Sequence, residues 1–204
     1  MTDEMDSWLG RRHASLAVVR KPGQPPLGYT SGMTHGTDGA KRWISELGLE
    51  PLTGESGWWA PAGASVLSID LRGDSLPAFS AIYYLLDAER PVNIWHRLDS
   101  DDTHVLIDGG PVEYTILEDG CAPARLVLGR DIAAGQTPMV TARGGSWKAL
   151  RLLDPEGFAL MGSIVTPAWT PDRVQIGLPD DEATRWKNAE PWLTSSAIER
   201  LGMP

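Results

Sequence analysis

"WHRLDSDDTHVLIDGG" (residues 95–110) is the stretch that decides how this chain folds. Apolar and polar residues alternate on both sides of "LDSDD", and Gly109-Gly110 close the segment. Successive side chains of a strand point to opposite faces. Ile94, His96 and Leu98 therefore share one face, and Trp95 and Arg97 the other. Beyond the acidic turn, Asp102, His104 and Leu106 share a face in the same way. Asp99, Ser100 and Asp101 suit the turn itself, because short polar side chains bond their own neighbouring backbone.

Working outward, the same β-type text continues on either side. "GWWAPA", "ASVLSIDL", "SAIYYLLD" and "PVNIWHRL" precede the turn. "DTHVLID", "VEYTILED", "ARLVLGRD", "TPMVTAR", "SWKALRLL", "FALMGSIVTP" and "RVQIGL" follow it. Eight to eleven strands at near-regular spacing, without a long helix among them, predict an antiparallel sandwich or barrel. Ahead of them, "DGAKRWISELGLEPL" has an Asp at its start, apolar residues at 43, 44, 47 and 49, and Gly48 and Pro51 as stop signals. This predicts a short amphipathic helix capped by Asp38. Residues 1–37, rich in Pro, Gly and Thr, read as an arm with a short strand at "SLAVV". Residues 38–178 form the barrel domain with its leading helix. Residues 179–204 predict a tail of one or two short helices packed on the barrel, the last capped at Thr194 or Ser195.

The chain of 204 residues is long enough for one good core. Its net charge of −9 comes with no basic stripe, which excludes nucleic acid as an expected partner. Cys121 is the only cysteine, so an intramolecular disulfide and a Cys-based zinc site are both excluded. The start "MTDEMDSWLGRRH" lacks an apolar signal core and no long apolar run follows, so the expected setting is cytoplasmic, with no membrane partner. Nine tryptophans against two phenylalanines predict indoles used as pocket walls or at a dimer interface. A homodimer is expected, with the arm or an edge strand crossing over.

The spacing of His96, Leu98, Asp102 and Gly109 resembles the first signature of the cupins, in which two histidines, a carboxylate and a glycine stand at those intervals. Gly135, Arg143-Gly144-Gly145 and Lys148 resemble the second signature, with Lys148 at the histidine position. The chain thus looks like a cupin with two of four metal positions overwritten, by Leu98 and Lys148. Further motifs narrow the likeness to the small single-domain cupins of family 5. "ESGWWAPAG" retains Glu55, Gly57, Trp58 and Trp59 of a family motif, and "FSAIYYLL", "WHRLDSDD", "LGRDIAAGQTPM" and "MGSIVTPAW" are similar to others. The resemblance covers roughly residues 41–178 and implies an all-β double-stranded β-helix (a jelly-roll, RmlC-like barrel) with a few short peripheral helices.

The cupin register also implies that His96, Asp102, His104 and Lys148 face the barrel interior. Two chemistries then compete. A two-histidine, one-carboxylate set (His96, Asp102 and His104) would suit iron or manganese in an oxygenase, but an ammonium in the fourth position repels a cation. The favoured reading has no metal and no cofactor. His96 acts as proton shuttle, Asp102 or Glu55 sets its tautomer and charge, and Lys148 polarises an oxygen or acts as base. Trp58, Tyr84, His104, Trp147, Leu98 and Arg97 are the expected substrate contacts. The expected activity is that of an isomerase or epimerase, cyclase or lyase on a small organic molecule, in specialised-metabolite biosynthesis. A non-catalytic ligand-binding cupin is the rival from another class. For any single residue, a satisfied core His–Asp hydrogen bond is the plainer alternative. His13 and His35 read as solvated, and Cys121 as incidental.

Overall fold

The computed structural model describes residues 36–71 and 73–203. The arm, the strand at "SLAVV", His13 and His35 lie outside the described residues.

Among the described residues thirteen strands, numbered in chain order, make two facing antiparallel sheets and one hairpin. The first sheet runs, in spatial order, β1 (Glu50–Pro51), β2 (Trp58–Ala64), β5 (Ser80–Asp87), β12 (Phe158–Thr166), β7 (Asp101–Gly109) and β10 (Met139–Ala142). The second runs β13 (Val174–Ile176), β6 (Val92–Leu98), β11 (Trp147–Leu152), β8 (Val112–Leu117) and β9 (Ala124–Leu128). The hairpin joins β3 (Ser68–Leu71) to β4 (Asp74–Pro77). Consecutive strands β6 and β7 lie in different sheets, so the acidic turn carries the chain across the barrel. This alternation between sheets is the double-stranded β-helix.

The leading helix α1 spans Thr37–Leu47. Its N-cap is Gly36, and no side chain caps it, which corrects the expected role of Asp38. Asp38 instead stands in the first turn, where a carboxylate opposes the positive end of the helix. Gly48 ends the helix in the left-handed conformation, donating its N–H to the Ile44 carbonyl. α1 packs with Leu85, Phe158 and Leu160 on the outer face of the first sheet. On the outer face of the second sheet, Trp95, Trp147 and Ala149 pack against Trp186, Leu193, Ile198 and Leu201 of the tail. The tail contains α2 (Asp180–Trp186) and α3 (Ser195–Arg200), the latter capped by the Thr194 hydroxyl, which accepts from the Ala197 N–H. Among the described residues no helix is long and apolar enough to cross a membrane.

Between the sheets the interior divides by level. Leu86, Leu106, Val112, Leu150 and Met161 fill one end with an apolar plug. Ser80, Val165 and Asp102 are paired neighbours across three strands toward the other end, where a cavity remains. That is where the polar residues gather.

Candidate active site

Strand pairing builds the site. His96 on β6 lies opposite Lys148 on β11, and His104 on β7 lies opposite Ser163 on β12. Lys148 reaches across the barrel interior to the first sheet, where its Nζ is 2.7 Å from Asp102 Oδ2. His104 Nε2 approaches the same oxygen at 3.1 Å, and the Ser163 hydroxyl donates to Oδ1 at 2.9 Å. Behind His104, Nδ1 meets the Tyr114 hydroxyl at 2.6 Å. Burial pushes the Tyr114 phenol well above its usual value, so it stays protonated, and its hydroxyl also lies within donating distance of Met161 Sδ at 3.4 Å. For Asp102, burial alone would raise the carboxyl, but His104 and Lys148 outweigh it and hold the group well below the usual range. The result is a closed polar network in which every member has a partner. Lys148 is only 2 % exposed and is committed to Asp102.

His96 stands apart from this network. Its Nδ1 donates to the Ile94 carbonyl at 2.8 Å, so Nε2 carries the lone pair. Burial, followed by the Lys148 ammonium, lowers its pKa to about 4, against the smaller opposing effects of Glu55, the Ile94 carbonyl and Asp102. The imidazole is therefore neutral near pH 7. Nε2 faces Glu55 Oε2 across 3.8 Å. Glu55 lies in the loop before β2, held by its own carbonyl, which accepts from the Ile94 N–H and the Asn93 amide.

These groups open onto a cavity of about 60 Å³. At roughly 10–15 Å³ per water, that holds a few waters or one small ligand. Its polar members are Glu55, Asn93, His96, Asp102, His104 and Ser163. Leu52, Trp59, Ile82, Leu98, Val165 and Trp169 supply most of the apolar wall, and Tyr84 and Ser80 complete it. The Tyr84 ring passes over Gly57, where a side chain would collide with it, and its hydroxyl donates to the Ser56 carbonyl at 2.9 Å.

Of the residues expected from the sequence, the cavity therefore brings together His96, Asp102, Glu55, Tyr84, His104 and Leu98. Four others need correction. Trp58 faces away, packing beneath α1 and donating its indole N–H to Asp87 at 3.1 Å. Trp147 belongs to the outer cluster under the tail. Arg97 lies over the Trp147 ring at 4.9 Å and bonds Gln175, so it too is outside. Lys148 points inward as expected, but its contact with Asp102 makes it an internal counter-ion and not a group that polarises a ligand oxygen. The tautomer of His96 is set by the Ile94 carbonyl and not by Asp102.

Sequence reasoning missed Asn93, Tyr114, Ser163 and Trp169, and of the neighbours Trp58 and Trp59 it chose the one that faces away. Tyr114 alternates with Val112 and Ile116, so its inward face was readable, although its pairing with His104 was not.

The alternative metal set of His96, Asp102 and His104 does not fit this arrangement. Both Asp102 oxygens and both His104 nitrogens are engaged, and a buried ammonium holds the carboxylate. Of that set, only His96 Nε2 is a free donor for a cation. Among the described residues no group of three or more His, Cys, Asp or Glu side chains is arranged to hold a metal ion.

Among solved structures, a hypothetical protein from Leishmania major superposes with a TM-score of 0.69 at 22% identity, covering 81% of this chain and 99% of that one. A protein from Shewanella oneidensis matches with a TM-score of 0.69 at 24% identity, covering 81% and 98% respectively. These likenesses concern the fold. No curated protein matches the chain in sequence. The model of the cupin superfamily family DUF985 (Cupin_5) matches residues 41–177, and with the double-stranded β-helix described above the chain belongs to that family.

Proposed function

We propose that this protein is an enzyme that moves a proton on a small organic molecule without a metal, as an isomerase or epimerase, cyclase or lyase. One observation carries the reading. In this pocket the lone pair of His96 Nε2 and the carboxylate of Glu55 face each other across 3.8 Å, apart from the network around Asp102. A proton or a ligand's donor group placed there would join the two acceptors. When His96 takes a proton there, it forms an imidazolium beside a carboxylate, a pair neutral overall and so less penalised by burial. His96 is the base in this reading and Glu55 steadies the charge it acquires. The Lys148–Asp102–His104–Tyr114 network holds the surrounding wall rigid.

The test uses solvent deuterium, which reports proton transfer whichever small molecule is the substrate. Wild-type protein incubated in D2O with a pool of small metabolites should introduce deuterium into one component, read by mass spectrometry. His96→Ala should slow this by ~100- to 10,000-fold while the barrel remains folded. EDTA should leave the rate unchanged. Loss of exchange with EDTA and recovery with iron or manganese would overturn the proposal in favour of a metal enzyme. A ligand retained unchanged by wild-type protein, with no exchange, would favour a binding protein.

A further inference from the structure

Glu55 is a half-buried carboxylate, with its side chain 14% exposed. Among the described residues its ion-pair neighbour is His96 alone, and that ring turns a lone pair toward it. Its other side-chain contact is a long one, with the Asn93 amide at 3.5 Å. No Arg or Lys among the described residues lines the cavity, and the ammonium of Lys148 is turned to Asp102 at 2.7 Å and does not contact Glu55. A half-buried carboxylate with no cation beside it is a place where a ligand can supply the positive charge.

The gap itself selects the donor. A hydroxyl carries one hydrogen and can satisfy either His96 Nε2 or Glu55, but not both. An ammonium nitrogen about 2.8 Å from each spans a 3.8 Å separation, donates to both and adds the absent charge. A carboxylate or phosphate would set oxygen against oxygen with no cation in reach. Trp59 and Trp169 add two indoles to the wall, a residue type whose π face attracts positive charge.

From these contacts we infer that the substrate class of this pocket is small amines, bound as ammonium between Glu55 and His96 with an apolar body against Leu52, Ile82, Trp59 and Trp169. The inference rests on the reading of this pocket as the functional site.

Isothermal titration of the wild-type protein at neutral pH with benzylamine, benzyl alcohol and benzoate tests it with three probes of one shape. The amine should bind at least about tenfold more tightly than the alcohol, as a charge-assisted bond replaces a neutral one. Benzoate should not bind. In Glu55→Gln, whose backbone carbonyl keeps its contacts with Ile94 and Asn93, the amine should fall to the level of the alcohol. Equal or tighter binding of the alcohol or benzoate, survival of the amine preference in Glu55→Gln, or binding of none of the three would each overturn the inference. The wild-type ranking stands even where the variant fails to fold. The two proposals fail separately. His96-dependent deuterium exchange with an alcohol preference removes only this one, and an amine preference without exchange removes only the acid–base reading.

Discussion

Lowering the pH should destabilise this protein through one residue, His96. Its imidazole has an ordinary value of 6.5 in the unfolded chain and about 4 in the folded one. Between those values the unfolded state binds more protons than the folded state, so stability falls as pH falls. The contribution is nearly complete above 6.5 and is lost by about 4. At about 1.4 kcal/mol per pH unit, the loss amounts to about 3 kcal/mol. Asp102 acts in the same direction but lower on the scale. Its folded value lies well below the usual carboxylate range, so its contribution survives this window and is lost only under stronger acid. Urea denaturation at about pH 7 and about pH 4 measures the change, and His96→Gln isolates the residue, since glutamine does not titrate. Wild-type protein should lose about 3 kcal/mol more than the variant over this range, because titrations common to both cancel. Equal losses in the two proteins would show that His96 is not held neutral by its surroundings, and the argument for a free lone pair at Nε2 would go with it.

Other outcomes follow from the same geometry. Lys148→Met should cost about 3–5 kcal/mol in chemical denaturation, because it strands the buried Asp102 carboxylate. Lys148→Met combined with Asp102→Leu should lose less than the sum of the two single changes, and additive losses would deny the ion pair its role. Trp58→Ala should lower stability by about 3 kcal/mol through its packing under α1, with ligand affinity retained. Trp59→Ala should reverse that pattern, and a common effect of both changes on ligand affinity would contradict their assignment to opposite faces.

How much of this was legible in the sequence varied with the range of the interaction. Alternation placed His96 and Leu98 on one face, and Asp102 and His104 on another, and the cupin spacing assigned both to the interior, where they lie. "SAIYYLLD" coincides with β5 residue for residue. The errors arose where parity was set aside. Arg97 follows His96 and Trp147 precedes Lys148, so neither can share the inward face of its neighbour. Trp58 and Trp59 are harder, because the turn through Ser56 and Gly57, both with positive φ, sets their parity, and no periodic pattern reveals it. The mutual neutralisation of Lys148 and Asp102 was beyond local reading altogether. It depends on the distance between sheets, fixed by the apolar plug at the other level of the barrel. Trp169 follows the last long strand in a loop without any period, its backbone N–H donating to the Ser80 hydroxyl.

The outer tryptophan cluster has a consequence for the order in which the site is made. The Trp95 N–H donates to the Leu201 carbonyl at 3.1 Å, and its indole N–H donates to the Ile198 carbonyl at 2.9 Å, across 103 positions of sequence. The strand that presents His96 is thus fastened from behind by residues translated long after it. On the ribosome, the histidine strand must wait for its brace while the intervening sheet assembles. A nascent chain halted before Ile198 would hold every polar residue of the pocket and still lack the anchor that steadies its base. Pulse proteolysis of stalled chains would time that last step, with protection of β6 arriving only when the tail emerges.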